Sequence, residues 1–217
     1  MSFLKIWSRT PVYTIVYNPK TTGGVFEKYD IRPSFIQKIP GGVNHYKYFL
    51  ALMPKAVESF NLSAYDIILS NCSAFAKGVI TDKNRQTHIC YLHTPTRYLW
   101  QDRQSYIKSS APPIVQPYLF WLTGRLKKWD LRASQRPNII IANSQTVAER
   151  TKKYYQRSVD FIHPFVQLDK FFPDRQIKRQ DFYLMTGRLV YYKKYDIVVE
   201  LFAKNPAWRL KIAGAGV

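Results

Sequence analysis

The chain has 217 residues, of which 46% are apolar and 16% aromatic, and it carries a formal charge of +19. That length suffices for one large domain, or for one domain and part of another, and that composition excludes a disordered chain. The charge calls for a counter-charge, whether nucleic acid, an anionic membrane face or a phosphorylated ligand, and does not choose among them. Cys72 and Cys90 lie in or beside apolar strand-like runs without metal-ligand spacing, so buried free thiols of a reducing compartment are expected. No apolar run approaches the about 20 residues of a membrane span, and the opening MSFLKIWSRT lacks the apolar core of a signal peptide. A cytoplasmic chain is expected, with peripheral contact to the inner membrane face as a further expectation.

Val12 to Tyr17 is β-branched and aromatic and predicts a strand closed by Asn18 and Pro19. Thr21 to Gly24 reads as a turn, and Ile31 to Ile39 as a second extended piece ended by Pro40, Gly41 and Gly42. Val43, Tyr46, Leu50 and Met53 then mark a helical stripe, interrupted at Pro54, which opens a second short helix through Phe60. This aromatic and basic stretch either docks on its own domain or also touches lipid headgroups.

Asp66 to Ser70 predicts a short apolar strand, and the polar corner Asn71, Cys72, Ser73 followed by AFAKG reads as the start of a helix, so one βα unit. Thr87 to His93 is the next strand, expected to be buried and parallel. Pro112, Pro113 and Pro117 break the chain before a long helix whose apolar face is Leu119, Leu122, Leu126, Trp129 and Ala133. Arg125, Lys128, Arg132 and Arg136 share a neighbouring face, either a solvated surface or a binding stripe. Asn138 to Ala142 predicts a third buried strand, Ser144 the N-cap of a helix running to about Tyr155, and Val159 to Ile162 a fourth strand. Phe172 to Asp181 is charged and aperiodic, a linker, after which Phe182 to Thr186, Lys194 to Lys204 and Trp208 to Ala213 spell a second βαβ unit.

Three constellations carry chemistry. Pro95 stops the strand before it and holds Thr94 extended, which leaves the His93 imidazole at the carboxyl edge, where open α/β sheets bind ligands. Gly187 lets the backbone turn at a strand end, and an arginine fork at Arg188 with a point charge at Lys193 suits a diphosphate leaving group. Gly214 and Gly216 make a lone GxG, and nothing in the chain matches a full dinucleotide fingerprint or a phosphate-binding P-loop.

The segments SNCSAFAKGVIT, HICYLHTPTRYLW, WDLRAS, IIIANSQTVAERTKKYY, HPFVQLDKFFP, GRLVYYKKYDIVVELF and IAGAGV occur in this order. Together they resemble the pattern of glycosyltransferase family 4, of the mannosyltransferase-like kind, across most of the chain. The resemblance implies GT-B architecture: an N-terminal Rossmann-like parallel-sheet domain over 1–172, a linker at 173–181, and the first βαβ of a second Rossmann-like, donor-binding domain at 182–217. It implies retaining transfer of a sugar, mannose being the first expectation, from a nucleotide-diphosphate donor to a glycan or lipid-linked acceptor, as in polysaccharide biosynthesis, with no cofactor and no required metal. His93 would contact the donor sugar, and Arg188 and Lys193 would hold the diphosphate. These three are the expected catalytic residues, and with Gly187, Gly214 and Gly216 they make up the expected donor site. Lys194 stands where the family carries glycine. The family's opening strand and Gly-rich loop have no counterpart before Val12, and its acidic pair would lie beyond Val217, so a chain truncated at both ends, with little activity alone, is expected. A non-catalytic basic module that binds an anionic membrane surface or nucleic acid is the alternative. No sequence-specific nucleic-acid recognition is expected.

Overall fold

The structure is a computed structural model that describes residues 2–169, 171–173, 176, 178–190 and 193–216. It divides into two compact units, Met1–Phe165 and Val166–Val217. In the first unit a short helix, α1 (Ser2–Ile6), precedes β1 (Val12–Thr14), which pairs in parallel with β2 (Ile31–Pro33) in a sheet of their own. Both strands are shorter than the sequence predicts, for a local reason. The Ser34 hydroxyl accepts from the Ile36 amide at 3.2 Å and starts a 3-10 turn, Phe35–Lys38, while the Gln37 amide group takes over the pairing of Tyr17 at 2.9 and 3.0 Å. The stripe from Val43 forms 3-10 turns over Tyr46–Leu52, kinked at Phe49, rather than a helix, and α2 (Met53–Glu58) begins with Pro54 in its first turn.

β3 (Ile67–Cys72), β4 (Thr87–Leu92), β5 (Ile139–Ala142) and β6 (Asp160–Phe161) form a parallel sheet in that order. AFAKG makes only a 3-10 turn, Ala76–Gly78, where a helix is expected. Gly78 lies against Trp129, and a Cβ there would come within 2.4 Å of the indole. Between β4 and β5 lie α3 (Arg103–Ser110) and the long α4 (Gln116–Ala133), and α5 (Gln145–Tyr155) follows β5. Ser144 caps α5 as predicted, its hydroxyl accepting from the Val147 amide at 3.4 Å.

The two strands expected to be buried, β4 and β5, are fully buried on one face only, and β3 follows the same alternation. Ile68, Ser70, Cys72, His88, Cys90, Leu92, Ile140 and Ala142 point into the core, whereas Ile67, Leu69 and Ile139, which alternate with them, are exposed. The strand order explains this. With each strand added on the same side of its predecessor, right-handed crossovers bring every intervening helix to one face, so the sheet is wound once. The covered face carries two apolar clusters, one around Leu99, Leu122, Leu126 and Trp129 and one around Cys90, Leu92, Val147 and Tyr155. Burying each such leucine or valine contributes about 1.5–3 kcal/mol. Both cysteines are buried and free.

In the second unit β7 (Tyr183–Thr186) and β8 (Leu210–Ala213) pair in parallel around α6 (Tyr195–Ala203), the βαβ order that the sequence predicts. The predicted linker at 173–181 includes Asp174, Arg175 and Ile177, which lie outside the described residues, as do Tyr191, Tyr192 and Val217 of the quoted motifs. The architecture is α/β with parallel sheets, compatible with a Rossmann-like fold. Among the described residues no helix is long and apolar enough to cross a membrane.

Candidate functional site

His93 stands one residue past β4, at the carboxyl edge of the sheet, as the sequence predicts. Its amide donates to the Cys72 carbonyl at 2.8 Å, which extends the β3–β4 pairing by one rung. Its Nε2 lies 2.6 Å from the Asn71 side-chain oxygen, and its ring meets Tyr91 edge-on at 5.6 Å. Tyr91 is held in turn, its hydroxyl donating to the Ile162 carbonyl at 2.8 Å. The imidazole remains partly exposed with its orientation fixed from two sides, and Asn143 and Ser144 occupy the same edge on the neighbouring strand.

Beneath the loop that follows His93 lies a buried carboxylate. Asp130 on α4 is fully buried and accepts four hydrogen bonds, from Lys77 Nζ at 2.6 Å and Thr96 Oγ1 at 2.7 Å on one oxygen, and from Trp100 Nε1 at 2.8 Å and Tyr155 OH at 2.7 Å on the other. The Lys77 ammonium, also fully buried, donates in addition to the Ala74 carbonyl and to Thr96 Oγ1. Burial works against its charge, but its partners Cys72, Tyr155 and Asp130 outweigh burial and hold its pKa above the ordinary lysine value. Tyr155 also accepts from the Thr96 amide at 3.3 Å, so both main chain and side chain of Thr96 are pinned. Two of the four donors, Thr96 and Trp100, belong to the segment that begins at His93. A buried ion pair whose every lone pair is used specifies one arrangement of its donors, and here that arrangement is the loop at the sheet edge.

The second unit holds the remaining predicted residues. Gly187 follows β7 with φ +143°, a conformation that L side chains rarely adopt, and its amide donates to the Ala213 carbonyl at 3.0 Å. Gly214 passes so close that a Cβ on it would stand 1.8 Å from the Gly187 carbonyl oxygen. Gly216 bridges Leu189 and meets nothing nearer than 3.9 Å, so of the GxG pair only Gly214 is required by packing. Gly187 and Gly214 therefore meet where β7 and β8 end, and Gly216 follows at the Leu189 bridge. Arg188 and Lys193 lie on the loop from there to α6, both exposed, and among the described residues neither forms an ion pair. Lys194 has the left-handed φ of 55° and precedes the first turn of α6.

Sequence reasoning missed the buried network. Lys77 was expected at the start of a helix, and Asp130 was not singled out. The signal was present: Asp130 is the single acid between Asp102 and Glu149, and it falls among Leu126, Trp129 and Ala133 on the apolar face of α4. Arg136 also departs from expectation. It lies past the end of α4, pairs with Glu58 at 2.7 Å and donates to the Gly78 carbonyl, so it belongs to the packing and not to the basic stripe.

A concavity of about 400 Å³ is lined by Tyr13, Arg32, Ser34, Phe60 and Tyr65. It sits where the chain enters β3, at the amino end of a sheet whose six-residue strands are about 20 Å long, and so away from His93. Among the described residues no group of His, Cys, Asp and Glu gathers in a way that could hold a metal ion. No model of a known protein family matches the sequence, and no curated protein matches it.

Proposed function

We propose that the chain serves retaining transfer of a sugar from a nucleotide-diphosphate donor to a glycan or lipid-linked acceptor, as a glycosyltransferase of GT-B type. The observation that carries this is the convergence of separate motif segments. Lys77 from AFAKG, Thr96 and Trp100 from HTPTRYLW and Tyr155 from KKYY all meet on the carboxylate of Asp130 from WDLRAS. Segments that resemble one family in order are thereby also bound to one another in space, and the histidine among them stands at the ligand-binding edge of the sheet.

In this reading His93 orients the donor sugar, with Asn71 setting the direction of its ring. Arg188 and Lys193 stabilise the charge that grows on the departing diphosphate, a role in which a charge-assisted hydrogen bond counts for about twice a neutral one. Gly187 and Gly214 allow the backbone to come close to the phosphates. Mannose is the first sugar to test, and the resemblance implies no required metal. Transfer by the 217-residue chain itself is expected to be slow, since its two cations ride on a unit in which no described residue is buried.

Calorimetric titration with guanosine and uridine diphosphate sugars tests this. Binding of at least one donor is expected, weakened about tenfold or more by Arg188→Ala, the loss that goes with one charged hydrogen bond. Absence of binding by every donor, or binding indifferent to both Arg188→Ala and Lys193→Ala, would leave the non-catalytic basic module as the better description. That second reading has its own support in the exposed cations Arg125, Lys128 and Arg132 on one face of α4.

A further inference from the structure

We propose that the amino-terminal end of α4, with the turn before it, is a docking surface for an anionic lipid bilayer. Tyr118, Trp121, Arg125, Lys128 and Arg132 recur at the spacing of a single helical face, and all five are exposed. The face is therefore aromatic at its start and cationic along the rest. Ahead of it the 3-10 turn Pro113–Val115 presents Ile114, which is 88% exposed, and Phe120 stands 56% exposed on another side of the helix. Exposed apolar residues on several sides of one helix end do not make a groove for a peptide. They make a projection suited to a yielding apolar medium.

The topology says where this projection lies in the first unit. β4 and β5 are parallel, so α4 must run back against them, and its start belongs to the carboxyl edge that also carries His93. Eighteen residues of helix extend about 27 Å, against about 20 Å for a six-residue strand, so one end of α4 overshoots the sheet. The buried residues of α4 run from Leu122 to Ala133, so the overshooting end is the amino-terminal one.

Charge selects the partner. From Arg103 to Trp129 the chain carries Arg103, Lys108, Arg125, Lys127 and Lys128 and no acid. Two of these cations stack on the aromatic rings of the projection, Arg103 on Phe120 at 4.2 Å and Arg125 on Trp121 at 5.0 Å. Aliphatic and aromatic side chains in front with cations behind them match acyl chains beneath anionic headgroups, with tryptophan and tyrosine at the boundary. A nucleic acid would put the cations foremost and would have no use for the aliphatic Ile114. On the sugar-transfer reading this surface would bring a lipid-linked acceptor to the His93 edge, but the docking itself does not depend on that reading.

The test is co-sedimentation of the full chain with vesicles, without any nucleotide sugar, so that failure here is separate from failure of donor binding. Vesicles of equal parts phosphatidylcholine and phosphatidylglycerol should bind the chain, and phosphatidylcholine alone should bind it less. Ile114→Ser with Trp121→Ser, both exposed and therefore compatible with an unchanged melting temperature, should weaken binding at least about tenfold, as should Arg125→Gln with Lys128→Gln. Three outcomes would overturn the assignment. The apolar variant could bind the mixed vesicles as well as the parent chain. The parent could dimerise without lipid in a way that this variant abolishes, which would make the occupant a second copy. The parent could bind an oligonucleotide, and not vesicles, through these residues.

Discussion

The two units share one local grammar, a parallel strand, a turn and a helix, yet they differ in what that grammar encloses. In Met1–Phe165 a four-stranded sheet is covered by helices on one face and surrounds a carboxylate with four donors. In Val166–Val217 two strands and one helix leave Tyr183, Leu184, Ile197, Val199 and Ile212 exposed, and no described residue is buried. A βαβ pattern thus sets strand direction and turn chemistry, whereas a core needs further layers to close over it. The same contrast separates the predicted residues of the two units. His93 stands on a frame with a dense interior, and Arg188 and Lys193 stand on one held mainly by main-chain pairing.

Perturbations confined to one unit should therefore differ in size. The largest effect is expected from Asp130→Ala, which leaves the Lys77 ammonium buried without its counter-ion and should cost about 3–5 kcal/mol in a urea unfolding curve. Replacing both partners together, Lys77→Met with Asp130→Leu, should cost less than removing Asp130 alone, because no charge is then stranded. Next comes pH. Burial pushes the His88 imidazole down to about 4 from its ordinary 6.5, so the folded chain resists a proton that the unfolded chain accepts. Stability is full above the unfolded value and is lost as pH falls toward the folded one, by about 1.4 kcal/mol per pH unit and about 3 kcal/mol in all. In the His88→Gln chain the same unfolding series should lose that slope.

Smaller effects belong to the second unit. Gly214→Ala drives a methyl group onto the Gly187 carbonyl and should cost about 1–3 kcal/mol, seen as faster amide exchange in β7 and β8 with the first unit's melting unchanged. Lys194→Gly relieves a left-handed backbone and should gain about 0.5–1 kcal/mol, seen as slower exchange in α6.

How far the sequence could be read follows the same division of causes. Parallel strands at Thr87, Ile139 and Tyr183, the Ser144 cap and the free thiols were legible because each is decided within a few residues. The shortening of β1 was not, since it depends on Gln37 reaching Tyr17 across a loop. Nor was the bare sheet face, because Ile67 and Ile139 are as apolar as their buried neighbours and only strand order exposes them. His93 could be placed at its edge from Pro95 alone. Asp130 could not be tied to it without knowing that α4 packs under the loop, although its isolation among cations and its place on an apolar face were hints.

The support of the His93 loop by Asp130 is tested most directly by amide exchange in the volume-conserving variant Asp130→Asn. Amides from His93 to Trp100 should exchange at least about tenfold faster than in the parent chain, the loss expected when one charged hydrogen bond of a buried network fails, while those of β7 and β8 keep their rates. Unchanged exchange from His93 to Trp100, or an equal acceleration in both units, would contradict a carboxylate that holds this loop and leaves the second unit to its own pairing.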